Sequence, residues 1–165
     1  MTGSAGYTMK NLLSSAINIV EYPRDATELM LSDAKLVSLP ESIGVLTSLT
    51  KLDLFECMSL VSLPERIGDL KALQTLNLAF CSKLVSLPER FGECKSLTSL
   101  NLYYCESLVS LPDSIGDLTS LTELKLNHCE KLVSLPERIG DLTSLTELDL
   151  FECRSLVSLP ERIGD

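Results

Sequence analysis

The chain has 165 residues, 45% of them hydrophobic, with few aromatics, no tryptophan and a formal charge of −9. That balance excludes nucleic acid and anionic membranes as partners, because phosphate binding draws on clustered Lys and Arg, and the basic residues here are scattered. No segment is long and apolar enough for a transmembrane helix, and the apolar stretch near the N-terminus is broken by Ser14, Ser15 and Asn18, which makes it a poor signal peptide.

In chain order, residues 1–8, "MTGSAGYT", are small and polar and predict a flexible tail. In "MKNLLSSAINIVEYP" the apolar residues Met9, Leu12, Leu13, Ala16, Ile17 and Val20 recur at helical spacing until Pro23 ends the run. This predicts a helical N-terminal cap over residues 9–25; the alternative is that "INIV" is the strand of a degenerate repeat. From residue 26 to 165 the chain repeats itself. Pro40, Pro64, Pro88, Pro112, Pro136 and Pro160 fall 24 residues apart, so the repeat is the unit to interpret. The first rung, "TELMLSDAKLVSLP", is degraded, with Leu29 and Leu31 in the strand positions and Ala34 where later copies have cysteine.

Each copy reads as a strand, a turn and a return path. In "ELDLF" the period of two sends Leu148 and Leu150 to one face and Asp149 to the other. "LPERIGDL" places Pro136 where a helical turn tolerates a missing N–H, and Gly140 where a left-handed exit is expected, so a short 3-10 segment is predicted. About six strands follow, in one array. A single repeat cannot bury enough to fold, so stability comes from neighbours and both ends need covering. The first and fifth full copies differ at only four places, Ser42/Arg138, Val45/Asp141, Lys51/Glu147 and Met58/Arg154, which implies recent duplication or a consensus-like sequence. The array breaks off in a partial repeat at Asp165, so self-association through this end, or a fragment of something longer, is expected.

"LTSLTELDLFECRSLVSLP" resembles the leucine-rich repeat L-x-x-L-x-L-x-x-C-x-x-L-x-x-L-P, over residues 26–165. Its LP-x-x-I-G-x-L continuation and its cysteine are most similar to repeats of plant nucleotide-binding disease-resistance receptors, and next to Ras-group leucine-rich-repeat scaffolds. The resemblance implies an α/β solenoid, with a curved parallel sheet on the concave face and short turns or 3-10 segments on the convex face. No G-x-x-x-x-G-K-[ST] loop occurs, so neither nucleotide chemistry nor a receptor role is carried over to this chain.

Cys57, Cys81, Cys105, Cys129 and Cys153 occupy one place in successive copies, three residues past the last strand leucine. Parallel thiols in a ladder point into the core rather than at each other, so buried S–H groups meeting backbone carbonyls are expected instead of disulfides or a metal site. Unpaired thiols favour a reducing compartment, hence a cytoplasmic location. Cys94 stands where Leu70, Leu118 and Leu142 stand in other copies. His128 adjoins Cys129, but the ladder sends the two side chains apart, so no catalytic pair is expected. Nothing in the sequence supplies a catalytic set, a metal site or a cofactor site.

The variable strand positions carry the information: Asp53, Phe55, Asn77, Phe80, Asn101, Tyr103, Tyr104, Lys125, His128, Asp149 and Phe151 are the candidate partner-binding residues, expected on the exposed face of the sheet. Five of the eight aromatic residues fall among them, and exposed aromatics are common interface anchors. The alternative is that they only cover strand edges. Acidic residues at both ends of the face favour a partner with basic rim residues. The function expected is a non-catalytic module that binds a protein or peptide on the concave sheet; the alternative is a structural or scaffold array, or a fragment of a larger immune-type receptor with no ligand of its own.

Overall fold

A computed structural model describes residues 6–8, 22–32 and 35–163. Among the described residues seven strands, all parallel and in sequence order, make one sheet: β1 (Gly6–Thr8), β2 (Glu28–Met30), β3 (Lys51–Asp53), β4 (Thr75–Asn77), β5 (Ser99–Asn101), β6 (Glu123–Lys125) and β7 (Glu147–Asp149). The repeats supply β2 to β7. The seventh strand is β1, which lies inside the stretch expected to be a tail and pairs with β2. The predicted helical cap falls mostly on residues 9–21, outside the described residues.

Register follows directly from the repeat. Leu52, Leu76, Leu100, Leu124 and Leu148 pair across successive strands, each one 24-residue step on, and β2 enters with one residue fewer, Leu29 opposite Leu52. Because side chains alternate, the central leucine of β2 to β6 is buried while its neighbours stay half-exposed. The core is a stack of leucines with Ile43, Ile67, Phe91, Ile115 and Ile139 at one matched position, and among the described residues no polar or charged side chain is buried in it.

Opposite the sheet each copy forms a five-residue 3-10 helix, from Glu41–Val45 to Glu137–Asp141, entered from proline in extended conformation. The glycine of each helix has a different role from the left-handed exit expected of Gly140: none of the five adopts positive φ. Instead the next copy's backbone presses on it. A Cβ on Gly68, Gly92 or Gly116 would sit almost on the carbonyl oxygen of Arg90, Ser114 or Arg138, and one on Gly140 would lie 2.7 Å from the Arg162 carbonyl. Glycine is needed here for close stacking of rungs.

Across these helices runs a file of ion pairs. Arg90 and Arg138 each reach the acid three residues on and the acid of the previous copy, Arg90 to Glu93 (2.9 Å) and Asp69 (2.7 Å), and Arg138 to Asp141 (3.1 Å) and Asp117 (2.6 Å), while Arg66 pairs with Asp69 of its own copy and Arg162 with Asp141 of the previous one. The arginines therefore pair with these acids, not with the glutamates adjacent in sequence. Ser114 interrupts the file, and Lys71 and Lys95 reach across to Glu93 and Asp117 on either side of it. The Arg90 guanidinium, with Lys71, holds the Glu93 carboxyl at about 2, below its ordinary 4.5.

The cysteine ladder is buried as expected, except that Cys153 in the last copy is half-buried. None of the six cysteines is in a disulfide, and those in the repeat position donate to the leucine carbonyl just past the strand of the previous copy: Cys57 to Leu31, Cys81 to Leu54, Cys105 to Leu78, Cys129 to Leu102 and Cys153 to Leu126, at 3.1–3.3 Å. Cys94 does the same on the other side of the core, donating to the Ile67 carbonyl at 3.3 Å.

Candidate functional site

Of the candidate partner-binding residues, Asp53, Asn77, Asn101, Lys125 and Asp149 end their strands and stand in one register column on the outward face. The other six do not lie on the strands. Phe55, Phe80, Tyr103, Tyr104, His128 and Phe151 follow them, in the turns at the C-terminal edge of the sheet. The strands are three residues long, so the strand that the period of two extends through "ELDLF" stops at the outward Asp149, and Leu150 and Phe151 lie beyond it.

Two kinds of hydrogen bond build these turns. The strand-ending carboxylate or amide accepts from the main-chain N–H two residues on, Phe55 to Asp53 (2.9 Å), Ala79 to Asn77 (3.1 Å), Tyr103 to Asn101 (3.0 Å) and Phe151 to Asp149 (3.0 Å), the turn that short polar side chains favour. The next residue is left-handed in every full copy: Glu56, Phe80, Tyr104, His128 and Glu152 have φ between 58° and 62°. Side chains rarely adopt that region without compensation. Here the twist aims the main-chain N–H at the next rung, Phe80 to Tyr103 at 2.7 Å and His128 to Phe151 at 2.8 Å. Sequence pattern does not reveal this, because none of the five residues is glycine.

The side chains of these turns form a continuous aromatic column. Phe80, Tyr104 and His128, one per rung, stack nearly parallel, with ring centroids 5.1 Å and 4.2 Å apart. Phe55, Tyr103 and Phe151 meet that stack edge-on, at 5.5 Å from Phe80, 5.2 Å from Phe80 and 5.7 Å from His128. These distances are those of favourable ring pairs. The rings therefore half-bury one another while the column as a whole faces out, and Phe151 is 65% exposed. The aromatics line the strand edge, and they do so as one connected surface.

Beside the column the sheet face is polar. Lys125 pairs with Glu123 at 2.7 Å and stands 4.0 Å from Glu147, and the Lys125 ammonium and the Ser99 hydroxyl hold the Glu123 carboxyl below its usual range. As the one strand-ending residue in the column that cannot accept, Lys125 leaves its turn without the side-chain hydrogen bond, and Asn127 Oδ1 in that turn is buried with no partner. The His128 ring lies on Tyr104 while Cys129 points into the core, where burial pushes its thiol up to about 12. The two do not meet as a thiolate and an imidazolium. Among the described residues no group of three or more His, Cys, Asp or Glu is placed to hold a metal ion, and no helix is long and apolar enough to cross a membrane.

The family model of the leucine-rich repeat region matches residues 55–150. Among solved structures, the chain is similar to the leucine-rich repeat domain of the type III effector XopL, 27% identical over 84% of this chain and 62% of that one, with a TM-score of 0.55. It is also similar to the Arabidopsis receptor kinase HAESA, solved in complex with the peptide hormone IDA and the co-receptor SERK1, 28% identical over 84% of this chain and 28% of that one, TM-score 0.53. A plant ice-binding protein is 26% identical over 70% of this chain and 38% of that one, TM-score 0.53. The chain thus spans less than two thirds of each of these structures. No curated protein matches the sequence.

Proposed function

Since the chain belongs to the leucine-rich-repeat family, in which the fold commonly mediates protein–protein interaction, we propose that it is a non-catalytic recognition module that binds a protein or an extended peptide segment across the outward face of β3 to β7. The observation that carries this reading is the unbroken aromatic column from Phe55 to Phe151 beside a polar sheet face. A surface that needed only to be soluble would not gather half-exposed rings in this way, and rigid aromatics supply large contact area at small entropic cost. Asp53, Asn77, Asn101, Lys125 and Asp149 would set orientation through hydrogen bonds and charge.

The peptide complex of HAESA supports peptide recognition on this fold. Acidic side chains at both ends of the face, Asp53 and Glu56 on one side and Glu147, Asp149 and Glu152 on the other, complement basic residues on the partner's rim. Six cysteines without a disulfide suit a reducing compartment, and the cytoplasm is the location proposed.

The test is selection of a displayed random peptide library on the wild-type chain, followed by binding of the selected peptides to Phe80→Ala/Tyr103→Ala/Tyr104→Ala. The reading expects binding to weaken by more than tenfold, roughly the loss of a hot-spot cluster, with the melting curve little changed. Equal affinity for the two proteins would refute it.

A further inference from the structure

Between the aromatic edge and the 3-10 helices, the coil carries a second ladder that the recognition surface does not use. In each copy the segment Leu-Val-Ser-Leu-Pro crosses this side with the valine outward, and in all but the last copy both leucines point inward. Val61 donates through its main-chain N–H to Val37 at 3.0 Å, and Val85, Val109, Val133 and Val157 each repeat that bond to the preceding valine at 3.1–3.2 Å. Parallel bridges at Ser38–Ser62 and Ser134–Ser158 continue it. The six valines therefore stand in one file at rung spacing, about 4.8 Å. Val37, Val61, Val85, Val109 and Val133 are 41–50% exposed and Val157 is 84% exposed. Among the described residues they make up most of the large apolar side chains left in water, and a connected apolar stripe of that kind marks an interface.

Charge borders the stripe unequally. Lys35, Lys83 and Lys131 stand two residues before their valines, all exposed, and acidic residues, among them Glu65, Glu89, Asp113 and Glu137, stand four residues after. Among the described residues neither border takes part in an ion pair, whereas the arginines and acids farther along the same 3-10 helices pair repeatedly.

We propose that the valine file is the interface of a homodimer, in which a second copy of this chain packs stripe on stripe about a two-fold axis parallel to the stacking direction of the rungs. Two files of identical pitch interdigitate, as a self-complementary interface requires. The borders select the axis. A two-fold along the stack sets the lysine border of one copy opposite the acidic border of the other, on both sides of the stripe. A two-fold across the stack would set acid against acid and lysine against lysine.

Sedimentation equilibrium of the full chain, over a range of concentration, tests this. The wild type should reach twice the mass of one chain, and Val85→Glu/Val109→Glu should stay monomeric with an unchanged melting curve; Val85→Ser/Val109→Ser gives the same reading if the glutamates unfold the chain. Lys83→Glu and Glu89→Lys should each weaken the dimer, by about tenfold, and an equimolar mixture of the two should recover it, since each then supplies the charge the other lacks. A wild type that remains monomeric, or a dimer that survives the valine changes, overturns the proposal. Failure of the mixture to recover dimer overturns the axis.

Discussion

Lys125 is the residue at which the regularity of the sheet edge fails. At the ends of β3, β4, β5 and β7 an Asp or Asn accepts from the main-chain N–H two residues on, at 2.9–3.1 Å; the ammonium that ends β6 cannot accept, so its turn lacks that bond, and the same turn holds the buried, unpartnered Asn127 Oδ1. Lys125→Asn should therefore stabilise the fold by about 0.5–1.5 kcal/mol, the net worth of one hydrogen bond, less the exposed pair with Glu123, which contributes little. Denaturant unfolding of the two proteins measures the difference, and a destabilised Lys125→Asn would contradict the account of the turn. If the lysine is kept for recognition, the same variant should bind selected peptides more weakly while folding better. The strand-ending column was legible in the sequence because alternation alone sends Asp53, Asn77, Asn101, Lys125 and Asp149 outward. The left-handed Phe80, Tyr104 and His128 were not, because a conformation imposed by rung-to-rung hydrogen bonds leaves no mark on residue type.

At the scale of the element, the 3-10 helices depend on glycine for closeness. A methyl group on Gly92 would overlap the Ser114 carbonyl and crowd the Ser114 side chain, and neither the helix below nor the one above can retreat without opening the leucine stack between them. Gly92→Ala should cost about 1–3 kcal/mol, the usual range for overpacking, although alanine is the better helix former in isolation. Thermal unfolding gives the comparison; a neutral or stabilising change would mean the rungs are looser than the contacts indicate. The proline and glycine of "LPERIGDL" announced a short helix from spacing alone, but the role of the glycine depends on the adjacent rung, and a distance between copies is not written in either copy. The same is true of the ion-pair file: Arg90 finds Asp69 of the preceding copy only once the register is set.

Over the whole molecule, repetition turns small local effects into a global dependence on pH. On the acid side, Glu93 titrates at about 2 in the fold against 4.5 when unpaired, and Asp69 and Asp117 are likewise held low by their arginines. A depressed carboxylate stabilises the fold above its unfolded value, and that contribution is lost as pH falls from about 4.5 towards 2. On the basic side the sign reverses. Burial raises Cys94 to about 11 and Cys129 to about 12, from 9, and raises Cys81 and Cys105 as well, so the folded chain keeps protons that the unfolded chain gives up. Stability is full below pH 9 and should fall above it, by about 1.4 kcal/mol per pH unit for each buried thiol. Replacing Cys105 by alanine should lower overall stability yet flatten that alkaline limb, as denaturant midpoints across the range would record; an unchanged slope would place the thiols outside the core. The solenoid and its register could be anticipated from a constant 24-residue step, whereas the union of six aromatic residues into one column could not, since it depends on turns that carry consecutive rungs into stacking distance. Amide chemical shifts of the isotope-labelled chain, followed while a library-selected peptide is added, show whether that column is the recognition surface. Shifts concentrated at residues 53–56, 77–80, 101–104, 125–128 and 149–152 are the predicted result; shifts confined to the valine file or to the 3-10 helices would contradict it.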